Sequence, residues 1–242
     1  EDIRDLEPNL AHIFKRGIFQ RDSLWLANPQ RIVQRMVDLF VARGGTFRQF
    51  DVQTIDLEDE QISIANTADS IRANKAVVCA GIWSNHLARQ LGDKLPMDTE
   101  RGYHLMLPAE NNRLLQRPVM SGEHSFVLVP METGMRLTGL VELAGTDATP
   151  DYRLIRRLIP VAAKILPGIN VTEESVWVGC RPSLPDSLPV IGVSKQSKRV
   201  LYAFGHQHLG MTLGPATGLI ISDLVAGRDT GIDLEPYRAD RF

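Results

Sequence analysis

Apolar residues at helical spacing mark one segment above all others. In "NPQRIVQRMVDLFVARGG" (28–45), Ile32, Val33, Met36, Val37, Phe40 and Val41 fall on one broad face. Asn28 suits an N-cap, Pro29 the first turn and Gly44 the C-terminal close. Strand-like patterns follow in "TFRQFDVQTIDLED", "QISIANT" and "DSIRANKAVVCAG", the last ending in the apolar run 76–81. "SNHLARQLG" (84–92) predicts a short helix capped by Ser84 and closed by Gly92. From about 100 to 147 the texture changes. "GYHLMLPA", "HSFVLVPM" and "GMRLTGLVEL" predict a mostly antiparallel sheet, with turns at "ETG" and "SGEH". "TPDYRLIRRLIPVAAKILPG" (149–168) predicts a helix with Thr149 as cap and Pro150 in its first turn, kinked or divided at Pro160. "RVLYAFGH" then predicts a short strand running into a glycine-rich turn and an apolar helix that ends at Gly227. The order is α/β, a sheet insertion, and α/β again, with no repeat and no low-complexity tract.

One stretch resists both periods. "VGCRPSLPDSLPVIG" (178–192) places Arg181 between a cysteine and a proline and adds further prolines behind it. Proline removes a backbone donor and fixes φ, so the segment predicts a rigid loop that presents Arg181 at a defined place. Arg181 is then either a surface charge or a clamp for an anion.

Composition narrows the classes. The 242 residues are 43% hydrophobic and 23% charged, the balance of a globular protein of one large or two small domains. A net charge of −2 lacks the basic field of a nucleic-acid surface. No run is long enough for a membrane span, and the acidic opening "EDIRDLEPNL" is not a signal peptide. Cys79 and Cys180 sit in apolar or strand-like segments, which predicts buried thiols in a reducing compartment, by default the cytoplasm.

Chemistry concentrates in "GHQHLGMTLGPATG" (205–218), between a strand and a helix. Its glycines allow close backbone approach, and a helix N-terminus suits an anionic group or a ring gaining negative charge. The same residues also suit a tight turn before a closely packed helix, and they match no standard nucleotide fingerprint. His206 and His208 share a strand end, but no further ligands follow at useful spacing, so no metal site is expected. "CAGIWSNHL" offers a strand end with Trp83 at the bend, and "RGYHLML" offers Arg101 and Tyr103.

Taken in order, "VVCAGIWS", "ERGYHLML", "GCRPSLPDSLPVIG" and "GHQHLGMTLGPATG" resemble the FAD-dependent D-amino-acid oxidase/dehydrogenase family, which includes glycine oxidase. The resemblance runs from "LEPNL" to "YRADRF" and implies an α/β (α+β) fold. It places a partial FAD-binding domain at 1–100 and 176–242 and an inserted substrate-domain sheet at 101–175. The activity implied is oxidative deamination of a D-amino acid by hydride transfer to flavin N5, giving an imine that water hydrolyses to a 2-oxo acid and ammonia. A related secondary amine, such as a proline derivative or a glycine or sarcosine type, is the alternative substrate. A quinone is favoured over oxygen as electron acceptor.

The resemblance also assigns residues. Arg181 takes the position of the carboxylate clamp, where a planar guanidinium makes two parallel hydrogen bonds. His208 falls beside the substrate, and Tyr103 lines its pocket. Val52 meets the adenine, and Gly81 and Trp83 lie along the cofactor. Gly205, His206, Leu209, Gly210, Met211 and Thr212 run past the flavin pyrimidine ring. No acid or base residue and no metal is required. The family's strand–GxGxxG–helix unit does not occur in these 242 residues, so the chain is expected to be the C-terminal part of the enzyme, inactive and without FAD by itself. A homo-oligomer or a missing N-terminal segment is expected to cover the open sheet edge, with a peripheral place at the inner face of the membrane as a variant of the cytoplasmic location. The rival reading is a non-catalytic fragment or partner-binding subunit.

Overall fold

The computed structural model describes residues 2–242. In chain order its elements are α1 (Ile3–Leu6), α2 (Pro29–Ala42), β1 (Thr54–Leu57), β2 (Ile62–Ala65), β3 (Ser70–Ala73), β4 (Ala76–Val78), α3 (Ser84–Gln90), β5 (Asp98–Leu107), β6 (Val119–Ser121), β7 (Phe126–Met131), β8 (Gly134–Glu142), α4 (Arg153–Arg156), α5 (Ile159–Ile165), β9 (Ser175–Ser183), β10 (Val190–Val193), β11 (Val200–Phe204) and α6 (Gly210–Ala226). They gather into two compact units. The first holds Glu1–Thr46, Arg101–Glu142 and Asp147–Gly179; the second holds Phe47–Glu100, Leu143–Thr146 and Cys180–Phe242.

The first unit is built on a five-stranded sheet of order β6-β7-β8-β5-β9. Strand alternation sends Tyr103, Leu105, Leu107, Phe126, Leu128, Met135 and Leu137 to one face. There they pack with Ile155, Leu158, Ala162 and Ile165 of the α4–α5 segment and with Leu10. Each large aliphatic or aromatic side chain buried this way contributes about 1.5–3 kcal/mol. The register sets the opposite face: His104 pairs with Thr138, Met106 with Arg136, Val127 with Thr138 and Val129 with Arg136.

The second unit carries two small sheets. One is the antiparallel meander β1-β2-β3; in the other, of order β10-β11-β4, β11 runs parallel to β4 with Tyr202 opposite Val78. Ile55, Ile62, Val78, Leu87, Ala88, Val190, Val200 and Phe204 share one core. A buried polar knot pins it. Asp93 accepts hydrogen bonds from the Tyr202 phenol and the Ser194 hydroxyl, both at 2.7 Å, and burial holds the phenol above its ordinary range.

Several expectations need correction. The segment around Arg181 is no loop: β9 continues through Cys180, Arg181 and Pro182 to Ser183. As β9 is an edge strand, Pro182 can forgo a ladder hydrogen bond there without breaking the sheet. "TFRQFDVQTIDLED" yields only the four-residue β1, and "DSIRANKAVVCAG" splits into β3 and β4. Ser84 does not cap α3 with its side chain; a turn of 3₁₀ helix precedes it, and the Ser84 hydroxyl is buried without a partner. Thr149 lies outside the helix it was to cap, and the chain divides ahead of Pro160, which takes the first turn of α5. Cys79 is exposed and Cys180 half-buried, and both are free thiols. The strong helix is as expected: Asn28 accepts from the Arg31 amide at 2.9 Å, and Gly44 follows at φ +92°. Gly227 likewise closes α6 in the left-handed region.

Candidate functional site

The glycine-rich turn belongs to the second unit and is held from two sides. β11 ends at Phe204, and Gly205 follows at φ +84°, a conformation that side chains resist. A Cβ there would sit 2.8 Å from the Leu184 side chain. The Gln207 amide donates to the Pro182 carbonyl and the Gln207 side chain to the Leu184 carbonyl, both at 3.2 Å. The turn is thereby tied to the residues immediately after Arg181. His206 turns inward: its Nε2 lies 2.9 Å from the Thr217 hydroxyl, and burial lowers its pKa, which favours the neutral ring.

Beyond the turn, α6 begins at Gly210 with no side chain capping it, so the first-turn amides of Gly210, Met211 and Thr212 are left to other partners. Leu209 and Met211 beside them are exposed. The other residues assigned to a cofactor are in the same unit. Gly81 opens a 3₁₀ turn at φ +59° with clear space where a Cβ would stand, Trp83 is 66% exposed, and Val52 lies exposed in the segment before β1. Exposed apolar surface next to an uncapped helix start fits a flat ring system that carries a partial negative charge.

Arg181 is half-buried, and desolvation draws its pKa down while the charge of Glu100 acts to raise it. Glu100 in turn holds His208: Glu100 Oε2 and His208 Nε2 are 3.0 Å apart. The second unit thus joins a cation, a carboxylate and an imidazole. The sequence reading names Arg181 and His208 and does not name Glu100, which meets His208 from 108 residues away.

Tyr103, expected to line the substrate pocket, is placed in the core of the first unit at 1% exposure. Its hydroxyl donates to Glu142 at 2.5 Å and accepts from the Asp151 amide at 3.2 Å, while burial, then Glu142, raises its pKa. Arg101, 2% exposed, reaches the same Glu142 oxygen at 3.4 Å. Tyr103 therefore fastens β5 to β8 and to the start of the helical segment. Among the described residues no group of three or more His, Cys, Asp or Glu gathers as metal ligands, and no helix is long and apolar enough to cross a membrane.

The model of the FAD dependent oxidoreductase family matches residues 1–224, and the chain belongs to that family. It is 30% identical over its whole length to a D-amino-acid oxidase of Bradyrhizobium diazoefficiens, covering 58% of that protein. It is 31% identical over 98% of its length to a D-amino acid dehydrogenase of Paramagnetospirillum magneticum, covering 57% of it. Among solved structures, a glycine oxidase from Geobacillus kaustophilus superposes with a TM-score of 0.75 at 25% identity, over 84% of this chain and 55% of the other. The chain spans less than two thirds of the length of each of these proteins.

Proposed function

We propose that the protein to which this chain belongs oxidatively deaminates a D-amino acid, with the second unit supplying the grip on the substrate carboxylate. The observation that carries this reading is the half-buried Arg181 beside the hydrogen-bonded pair of Glu100 and His208. An amino acid needs a cation for its carboxylate and an acceptor for its amine. Arg181 offers two parallel N–H donors that stay charged across the working pH range. Glu100 and His208 offer acceptors for the amine N–H groups, so that the carbon between amine and carboxylate is fixed at both substituents. Gly205, Leu209, Gly210, Met211 and Thr212, with Val52, Gly81 and Trp83, are the residues that would hold FAD. FAD, when bound, supplies the hydride acceptor for the amine-bearing carbon. The first-turn amides of α6 would then stabilise negative charge on the ring placed there. Water adds to the resulting imine, releasing ammonia and a 2-oxo acid. A secondary amine of the proline or sarcosine type satisfies the same acceptors with one N–H fewer, and a quinone is the acceptor assigned to the electrons.

The test is steady-state kinetics of the complete flavoprotein with D-amino acids. Arg181→Ala is expected to raise KM by at least about thirtyfold, since an unpaired carboxylate in a partly desolvated site costs about 2–5 kcal/mol. Arg181→Lys, which keeps the charge without the paired donors, is expected to fall between. An unchanged KM in Arg181→Ala removes the residue from this role.

A further inference from the structure

The backbone that follows Arg181 is gripped by a cation to which the reaction above gives no part. β9 ends at Ser183, and a turn over residues 184–188 follows, in which the Ser187 amide donates to the Leu184 carbonyl at 3.0 Å. Ser187 stands at φ +62°, in the left-handed region that costs a non-glycine residue about 1–2 kcal/mol. Asp186 and Leu188 flank it, and Arg241 holds both. Its Nε and Nη2 donate to the two Asp186 carboxylate oxygens at 2.6 and 3.2 Å, and Nη2 donates also to the Leu188 carbonyl at 2.7 Å. Nη1 donates to the Arg238 carbonyl at 2.9 Å. The Arg241 side chain is 11% exposed, and its hydrogen bonds hold the Asp186 carboxyl below the ordinary carboxylate range.

The same stretch is held from its other side by the turn after β11. Gln207, at φ +49°, reaches the Pro182 carbonyl with its amide and the Leu184 carbonyl with its side chain. The buried Leu184 side chain fills the space beside Gly205. Arg181 immediately precedes Pro182, and His208 immediately follows Gln207. The backbone from 182 to 188 therefore sets the spacing between the guanidinium and the imidazole. Arg241 ties that backbone to the rest of the second unit, because its own segment is seated: Ala239 lies in the main core, and Tyr237 packs on the cluster of Ile191, Leu201 and Ile221. An exposed ion pair contributes little to stability, whereas a shielded, two-pronged pair fixes geometry.

We infer that Arg241 is a positioning residue for substrate binding: through Asp186 and Leu188 it fixes the turn that spaces Arg181 from His208. The inference rests on the reading of Arg181 as the carboxylate clamp. Without Arg241, Ser187 is free to leave the left-handed region, and the end of β9 shifts with it. A misplacement of about 1 Å in a binding group costs up to about a hundredfold, so a residue that touches neither substrate nor cofactor still sets KM.

Steady-state kinetics of the complete flavoprotein with D-amino acids, in single and double variants, test the inference. Arg241→Gln is expected to raise KM by about tenfold while kcat and flavin content stay at the parent level. Arg241→Lys keeps the charge and loses the paired donors, so its KM should fall between. Asp186→Asn removes the same pair from the other side and should match Arg241→Gln; it is the readout should the Arg241 variant misfold. In an Arg181→Ala background Arg241→Gln should add little, because the group that it positions is gone. A role in stability alone would lower the yield of active flavoprotein and leave KM unmoved. An unchanged KM in Arg241→Gln and Asp186→Asn, with KM still raised in Arg181→Ala, overturns the positioning role and leaves the clamp standing. An equal rise from Arg241→Gln with and without Arg181 overturns it as well. An unchanged KM in Arg181→Ala removes the clamp and this inference with it.

Discussion

Two buried or half-buried arginines of the first unit show how strongly a side chain's role depends on what faces it. Arg101 finds Glu142 at 3.4 Å, and Arg136 takes part in none of the ion pairs among the described residues. The charge of Arg136 is also felt at His104. In the unfolded chain His104 takes up a proton as pH falls through about 6.5; in the folded chain it does so only near 4. The unfolded state therefore binds more protons in that window, and stability falls as pH is lowered through it, by at most about 1.4 kcal/mol per pH unit, with no contribution above neutrality. Urea denaturation midpoints between pH 7 and pH 4.5 should decline in the parent chain and decline less in His104→Gln. Identical slopes in the two proteins would show that His104 titrates normally. At this scale a motif drew attention to Arg181 and His208, and the structure puts both near Glu100. The sequence was silent on Glu100 and Arg136, which are ordinary charges until the strands bring their neighbours to them.

Elements were legible in proportion to their local signals. α2 begins and ends, and α6 ends, close to where capping and glycine chemistry put them, because those signals lie within a few residues of the helix ends. β9 was misread because proline's exclusion from sheets applies to interior strands, and edge position is decided by partners distant in sequence. β1 and β3 are shorter than their apolar patterns suggest, because pairing with β2 sets their length. The turn between β11 and α6 provides a prediction at this scale. Gly205→Ala must place a side chain at φ +84° and 2.8 Å from Leu184, which should cost about 1–2 kcal/mol and loosen the turn that joins the Arg181 strand to α6. Chemical denaturation of that variant measures it; an unchanged midpoint would mean that the turn relaxes freely.

The two compact units each have their own core, and the candidate site residues divide unequally between them. Arg181, Glu100, His208 and the whole set assigned to the cofactor lie in the second, whereas Tyr103 lies in the first. The α/β class and the family were legible from four short segments, because their glycines, prolines and arginine are spaced by chemistry. The compact grouping of residues 1–46 with 101–142 was not, since it depends on long-range packing such as Leu10 against the sheet. The apolar stripe of α2 was legible, but its exposure was not: Met36 is 56% and Phe40 53% exposed. Membership in the FAD dependent oxidoreductase family, together with the Arg181, Glu100 and His208 cluster, makes amino-acid oxidation the central claim for the complete protein. Anaerobic mixing of that flavoprotein with D-alanine and, separately, with L-alanine tests it most directly. The account predicts that D-alanine bleaches the oxidised flavin band, that L-alanine does not, and that Arg181→Ala slows the bleaching at low substrate and recovers toward saturation. A flavin band left unchanged by D-alanine and by a panel of other D-amino acids and small secondary amines would contradict it.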